Sequence, residues 1–145
     1  MPVTIKKILL WRADVENKPG TLAQAIGPLA QGGADLKALM GYRHPGAAGA
    51  ATIEVYPILG KKSAVAAQAA GFSASSIPAL LVEGDDKPGL GCAIAQAAAA
   101  AGINFAFFIA QVIGKKFSAI LGFETAEEAK KAAPLIKKAA APKRR

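Results

Sequence analysis

Two short turns carry the residue types best suited to hold a small anion. Asp86-Lys87-Pro88-Gly89-Leu90 and Asn17-Lys18-Pro19-Gly20-Thr21-Leu22 share a Lys-Pro-Gly centre, and their prolines stand 69 residues apart. Each turn follows an apolar run, Ile8-Leu9-Leu10-Trp11 in one case and Leu80-Leu81-Val82 in the other. Each precedes an Ala-rich segment of helical character. Proline is pre-organised for a helix's first position, and glycine lets the backbone come close to a ligand. The sequence therefore predicts a strand, a turn and a helix N-terminus, twice. Such an end offers unpaired N–H groups and a partial positive charge. It suits a small carboxylate, such as that of a free amino acid.

The remaining chemistry-bearing residues make weaker cases. His44 is the single histidine and sits in the breaker-rich Arg43–Gly49 loop, where it reads as a solvated residue. Cys92 is the only cysteine, which rules out an intrachain disulfide and a cysteine-cluster metal site. It reads as a small core residue of an Ala-rich helix. Glu127 and Glu128 follow Thr125 with capping-box spacing, so helix capping accounts for them. No paired carboxylates, metal spacing or phosphate loop stand out, so the reading is not an enzyme and has no cofactor.

The repeat extends past the turns. Gly33-Ala34-Asp35-Leu36 and Gly102-Ile103-Asn104-Phe105 lie at the same 69-residue offset. Units of that length exceed solenoid repeats of roughly 20–50 residues and fit two small domains. The division is residues 1–76 and residues 77–145, the latter with a basic tail from about residue 139. At 52 % apolar content the chain can build a core, although much of that content is Ala. No apolar run reaches the roughly 18 residues of a membrane span. The first seven residues lack the order of a signal peptide, and the expected location is the cytoplasm.

Net charge is +8, which raises the question of nucleic acid. Residues 125–145 hold seven Lys/Arg against two Glu, so most of the excess lies in the last helix and tail. That is the pattern of a solvated end.

Stepwise, residues 3–15 read as one long strand with a polar break at Lys6-Lys7, residues 19–31 as a helix with Pro28 inside it, and residues 34–42 and 51–58 as strands. Lys61 to Ala70 reads as a short helix and residues 72–83 as an extended segment. A helix over 88–101, strands over 103–112 and 117–123, and a last helix from Thr125 follow. Pro134 is expected to bend or stop that helix. The fold class is α+β: two ferredoxin-like βαββαβ units, antiparallel sheets with helices on one face. The second unit lacks a fourth strand of its own. By the 69-residue offset, Val3 to Lys7 should close its sheet, with a second copy of the chain as the alternative donor.

At this point the chain resembles tandem ACT-domain proteins. The carrying residues are the Lys-Pro-Gly turns, the helix after each, and the Gly-Ala-Asp-Leu and Gly-Ile-Asn-Phe stretches, over about residues 8–134. Asn17 stands where that family prefers Asp. The resemblance implies a regulatory protein that binds a small amino acid or similar zwitterion at an interface between paired domains. It places Asn17, Pro19, Gly20, Thr21, Leu22 and Asp35 at one site. It places Asp86, Pro88, Gly89, Leu90, Gly91 and Asn104 at the other. Helix N–H groups would take the carboxylate, and the Asp35 carboxylate or Asn104 amide oxygen the ammonium. A homodimer and a regulated partner enzyme are the implied partners.

Two rivals remain. One is a pairing module that binds no ligand. The other is an RNA-binding domain with the same βαββαβ order, whose aromatic signature should fall on Lys116 to Phe123. Ser118 and Ile120 occupy its base-stacking positions, which argues against nucleic acid as a partner.

Overall fold

The computed structural model describes residues 3–141. The elements in chain order are β1 (Thr4–Ile8), β2 (Trp11–Glu16), α1 (Thr21–Gln31), β3 (Ala38–Arg43), β4 (Ala50–Tyr56) and α2 (Gly60–Ala69). Then come β5 (Ser73–Ala74), β6 (Ala79–Asp85), α3 (Leu90–Ala100), β7 (Phe105–Ile113), β8 (Lys116–Phe123) and α4 (Ala126–Ala140). They form two compact units. Residues 9–76 make the first, and residues 3–8 with 77–141 make the second.

The first unit's sheet has the order β3-β4-β2-β5, the second's β1-β6-β8-β7, and every neighbouring pair is antiparallel. Each is the strand order of a ferredoxin-like βαββαβ layer. Alternation along the strands sends one side of each sheet to the helices. In the first unit Ala13, Ile53 and Val55 meet Ala25 and Leu29 of α1 and Ala67 of α2. In the second, Leu80, Val82, Ala119 and Leu121 meet Ile94 and Ala98 of α3 and Ala132 and Ile136 of α4.

Residues 3–15 are not one strand. They break at Leu9-Leu10, because β1 pairs with β6 in one sheet while β2 pairs with β4 and β5 in the other. The ladder runs from Thr4 opposite Glu83 to Ile8 opposite Ala79. Residues 3–8 therefore sit with the second unit rather than inside a unit of residues 1–76, and the donor is the chain's own N-terminal segment. Val3 is buried in the second unit's core, with Ile5 packed against it.

Both helices after the Lys-Pro-Gly turns begin later than the prolines. The N-caps are Gly20 and Gly89, at φ of 87° and 82°. Only glycine takes that left-handed backbone without strain, so Pro19 and Pro88 precede the cap instead of opening the helix. The first strand of the hairpin in unit one starts at Ala38, four residues later than the sequence implies. Ala34 N–H is committed to Leu29 O, and Gly33 N–H to Ala30 O, which closes α1 in a Schellman turn. Pro134 does not stop α4, which runs to Ala140. The buried face of Ala129, Ala132, Ile136 and Ala140 holds the helix on both sides of it. The basic tail of residues 142–145 lies outside the described residues. Thr125 caps α4, its hydroxyl accepting Glu128 N–H at 3.1 Å.

Candidate functional site

A hollow of about 220 Å³ opens beside the first Lys-Pro-Gly turn. Asn17, Lys18, Thr21 and Leu22 form one wall, Gly41, Tyr42 and Arg43 of β3 another, and Val15 and residues 51–53 the floor. Gly41 makes room for it. A side chain there would reach toward Leu22, whose Cδ1 lies 3.9 Å from an ideal Cβ.

The polar groups around the hollow favour an anion. No side chain caps the N-terminus of α1, and its first turn carries no acid. Thr21 Oγ1 is buried and has no hydrogen-bond partner. Lys18 and Arg43 add two cations, while Glu16 pairs with Lys18 at 3.1 Å. Asn17 is fixed by its own groups: its backbone N–H donates to Gly49 O and its side-chain amide to Ala48 O. That leaves the Asn17 amide oxygen and the Glu16 carboxylate as acceptors for a cation.

Of the expected first-site residues, the structure brings Asn17, Thr21 and Leu22 to the hollow. Gly20 is the cap that orients the helix start, and Pro19 sits in the turn before it. Asp35 is elsewhere, an exposed carboxylate paired with Lys37 at 2.6 Å. Gly41, Tyr42 and Arg43 were missed by sequence reasoning. A glycine inside a strand pattern marks a close approach or a gap, and Gly41 was the available signal.

The second set of residues is arranged differently. Gly89 caps α3 as Gly20 caps α1, and Gly91 lies in its first turn, but Leu90 is buried at 2 % exposure in the unit's core. Asp86 N–H donates to Lys115 O, Pro88 lies in the turn and Asn104 is exposed. The ladders show what replaced the first unit's polar groups. At matching register positions Gly41, Tyr42 and Arg43 correspond to Ala110, Gln111 and Val112, and Leu90 follows the α3 cap where Thr21 follows the α1 cap. A hydroxyl and a guanidinium have given way to apolar side chains. The second unit does hold a larger hollow, about 520 Å³, between β1, β6 and α4; Ile5, Leu80 and three alanines line it, with Lys7, Glu127 and Lys130 as its charged groups.

The open face of the first sheet, away from the helices, carries a polar cluster. Arg12 donates from Nε and Nη2 to Asp14 Oδ1, and Thr52 Oγ1 donates to the same oxygen at 2.9 Å. These donors hold the Asp14 carboxyl below its ordinary range, the Thr52 bond most of all. His44 is not a solvated loop residue: its Nε2 lies 2.6 Å from Thr52 Oγ1. Tyr42 Oη donates to Glu54 Oε2 at 3.2 Å, and burial together with the nearby carboxylate raises the Tyr42 pKa. Cys92 is exposed, not a core residue. Phe117 and Phe123 of β8 are buried, so that strand presents no aromatic platform to a base. No described helix is long and apolar enough to cross a membrane.

No protein-family model matches the chain, and no curated protein does. Solved structures do resemble it. Protein BT0572 from Bacteroides thetaiotaomicron superposes with a TM-score of 0.74 at 16 % identity, covering 92 % of this chain and 89 % of that one. The regulatory subunit of aspartate kinase from Thermus thermophilus gives 0.65 at 18 % identity, covering 97 % and 98 %. The corresponding subunit from Thermus flavus gives 0.59 at 19 %, covering 96 % and 97 %. With the two sheet orders, these likenesses establish the fold as the ferredoxin-like ACT fold.

Proposed function

We propose that this chain is a regulatory module that binds a small amino acid, or a similar zwitterion, in the hollow beside α1. The observation that carries the reading is an uncapped helix N-terminus opening on a hollow that also holds the unpartnered Thr21 hydroxyl. The ligand carboxylate would meet the first α1 amides and the Thr21 hydroxyl, with Arg43 and Lys18 beside it. The ligand ammonium would meet the Glu16 carboxylate or the Asn17 amide oxygen. Binding is the whole activity in this reading, with no reaction catalysed, and its effect falls on a partner enzyme in the cytoplasm. The regulatory subunits named among the similar folds support a regulatory role.

The second unit's part is pairing. Its edge strand β7 exposes Ile109, Val112 and Ile113, and a second copy of the chain would cover them in a homodimer.

A thermal-shift screen against the twenty amino acids tests the ligand. A ligand at about 100 times its dissociation constant should add roughly 2.7 kcal/mol. That gain should vanish in Arg43→Ala. A screen in which no amino acid raises the melting temperature refutes the reading.

A further inference from the structure

Glu54 stands in the middle of the open face of the first sheet. Its register partners are Arg12 on β2 and Met40 on β3. It is 1 % exposed, although that side of the sheet faces away from the helices. Tyr42 supplies Oε2 with a donor, while Oε1 is buried with none. No surrounding donor reaches Oε1 in this structure. Arg12 serves Asp14 and Thr52, and Thr52 gives its one proton to Asp14. His44 Nε2 must therefore donate to Thr52 and cannot turn to Glu54. β5, on the far side of β2, contributes only Ser73 and Ala74. A neutral carboxyl leaves one oxygen short of a partner. An ionised one would bury a charge with half its acceptors empty, which costs far more.

We propose that Glu54 is a proton-binding latch beneath the pocket wall: protonated, it lets the edge strand β3 lie closed on β4, and ionised, it drives β3 open so that water reaches Oε1. β3 is the outermost strand of its sheet and carries Gly41, Tyr42 and Arg43. Opening it would dismantle one wall of the hollow. This consequence rests on the reading of the hollow as a ligand site; the latch itself does not.

Burial, with a push from Asp14, raises the Glu54 pKa against the opposing pull of Tyr42 and Arg12. A raised folded pKa gives stability that is complete below the unfolded value of about 4.5 and lost as pH rises through the folded value. Between those two values the opening equilibrium of β3 should grow by up to about tenfold per pH unit.

Hydrogen exchange on the full chain, without ligand and corrected for intrinsic base catalysis, reads this directly. The β3 amides of the wild type should open more readily as pH rises, while those of α3 stay level. Glu54→Gln should keep β3 level too. Should that variant fail to fold, Tyr42→Phe serves: it removes a donor that favours the ionised form in the closed state, so the rise should begin at the same pH and continue to higher pH before it levels. A level wild type, a Glu54→Gln variant with the same slope, or a Tyr42→Phe rise that levels at the same pH as the wild type overturns the latch. Failure of the amino-acid screen leaves these outcomes unaffected.

Discussion

At the scale of single residues, Thr21 and Leu90 make the sharpest contrast. Both open a helix after a left-handed glycine cap. One keeps a buried hydroxyl without a partner, and the other buries its side chain in a core. An unpaired buried hydroxyl costs stability unless a ligand satisfies it. Thr21→Val should therefore leave the free protein as stable as before, or steadier by about 1 kcal/mol, while cutting the melting shift that an amino acid induces. Calorimetric melting with and without ligand separates the two effects, and a variant that loses stability but keeps its ligand shift contradicts the assignment. The glycine caps need a different reading. An added Cβ at Gly20 or Gly89 would meet nothing within 4 Å, so crowding is not the issue. The strain is in the backbone, and Gly20→Ala should cost roughly 1–3 kcal/mol in the absence of any ligand. Denaturant melts of that variant test it, and an unchanged midpoint would show that the cap relaxes. Substituting either glycine is thus a poor probe of ligand approach.

Among the elements, β7 carries the largest liability. Phe105 to Ile113 is nine residues long, holds no charge and forms one edge of its sheet. Ile113 is 67 % exposed. Soluble proteins protect such edges with charge, proline or a partner strand. Ile109→Lys should convert a dimer to a monomer in sedimentation at constant fold, because a charge at the edge opposes pairing; a variant that stays dimeric places the interface elsewhere. Much of the element pattern was readable beforehand. The two turn-helix starts, the hairpin at Gly114-Lys115 and the Thr125 cap follow from local chemistry that tertiary contacts do not override. The errors have equally local causes. Val3 to Val15 reads as strand apart from the polar Lys6-Lys7 pair, and although the 69-residue offset assigns Val3 to Lys7 to the second sheet, no glycine or proline marks the break at Leu9-Leu10. Pro134 signals a helix end, yet the buried alanines on either side outweigh the lost hydrogen bond. Within the site, the Lys-Pro-Gly repeat pointed to Thr21 and Leu22, but repetition made both copies look alike. The difference lies in cross-strand partners such as Gly41 and Ala110, which register alone reveals.

For the molecule as a whole, the N-terminal strand is the piece whose sequence position and structural role differ most. β1 completes the second unit's sheet, while the next strand opens the first unit. Val3 is buried in the second unit's core, and full burial of one such side chain is worth about 1.5–3 kcal/mol. β1 also covers the flank of β6, whose first four residues, Ala79-Leu80-Leu81-Val82, are apolar. Without β1, that strand would become an edge with a bare apolar half, a template for aggregation. Deleting residues 1–6 removes Val3, Ile5 and most of the ladder. The truncated chain should lose hydrogen-exchange protection in β6, β8 and α4, more than 70 residues away in sequence, while β2, β4 and α1 keep theirs. Light scattering should rise with concentration as β6 finds partners in other copies. Adding back a peptide of residues 1–8 should restore the protection and clear the scattering. Loss of protection confined to β2 and β4 would mean that the segment supports the unit next to it in sequence, and the strand pairing would have to be redrawn.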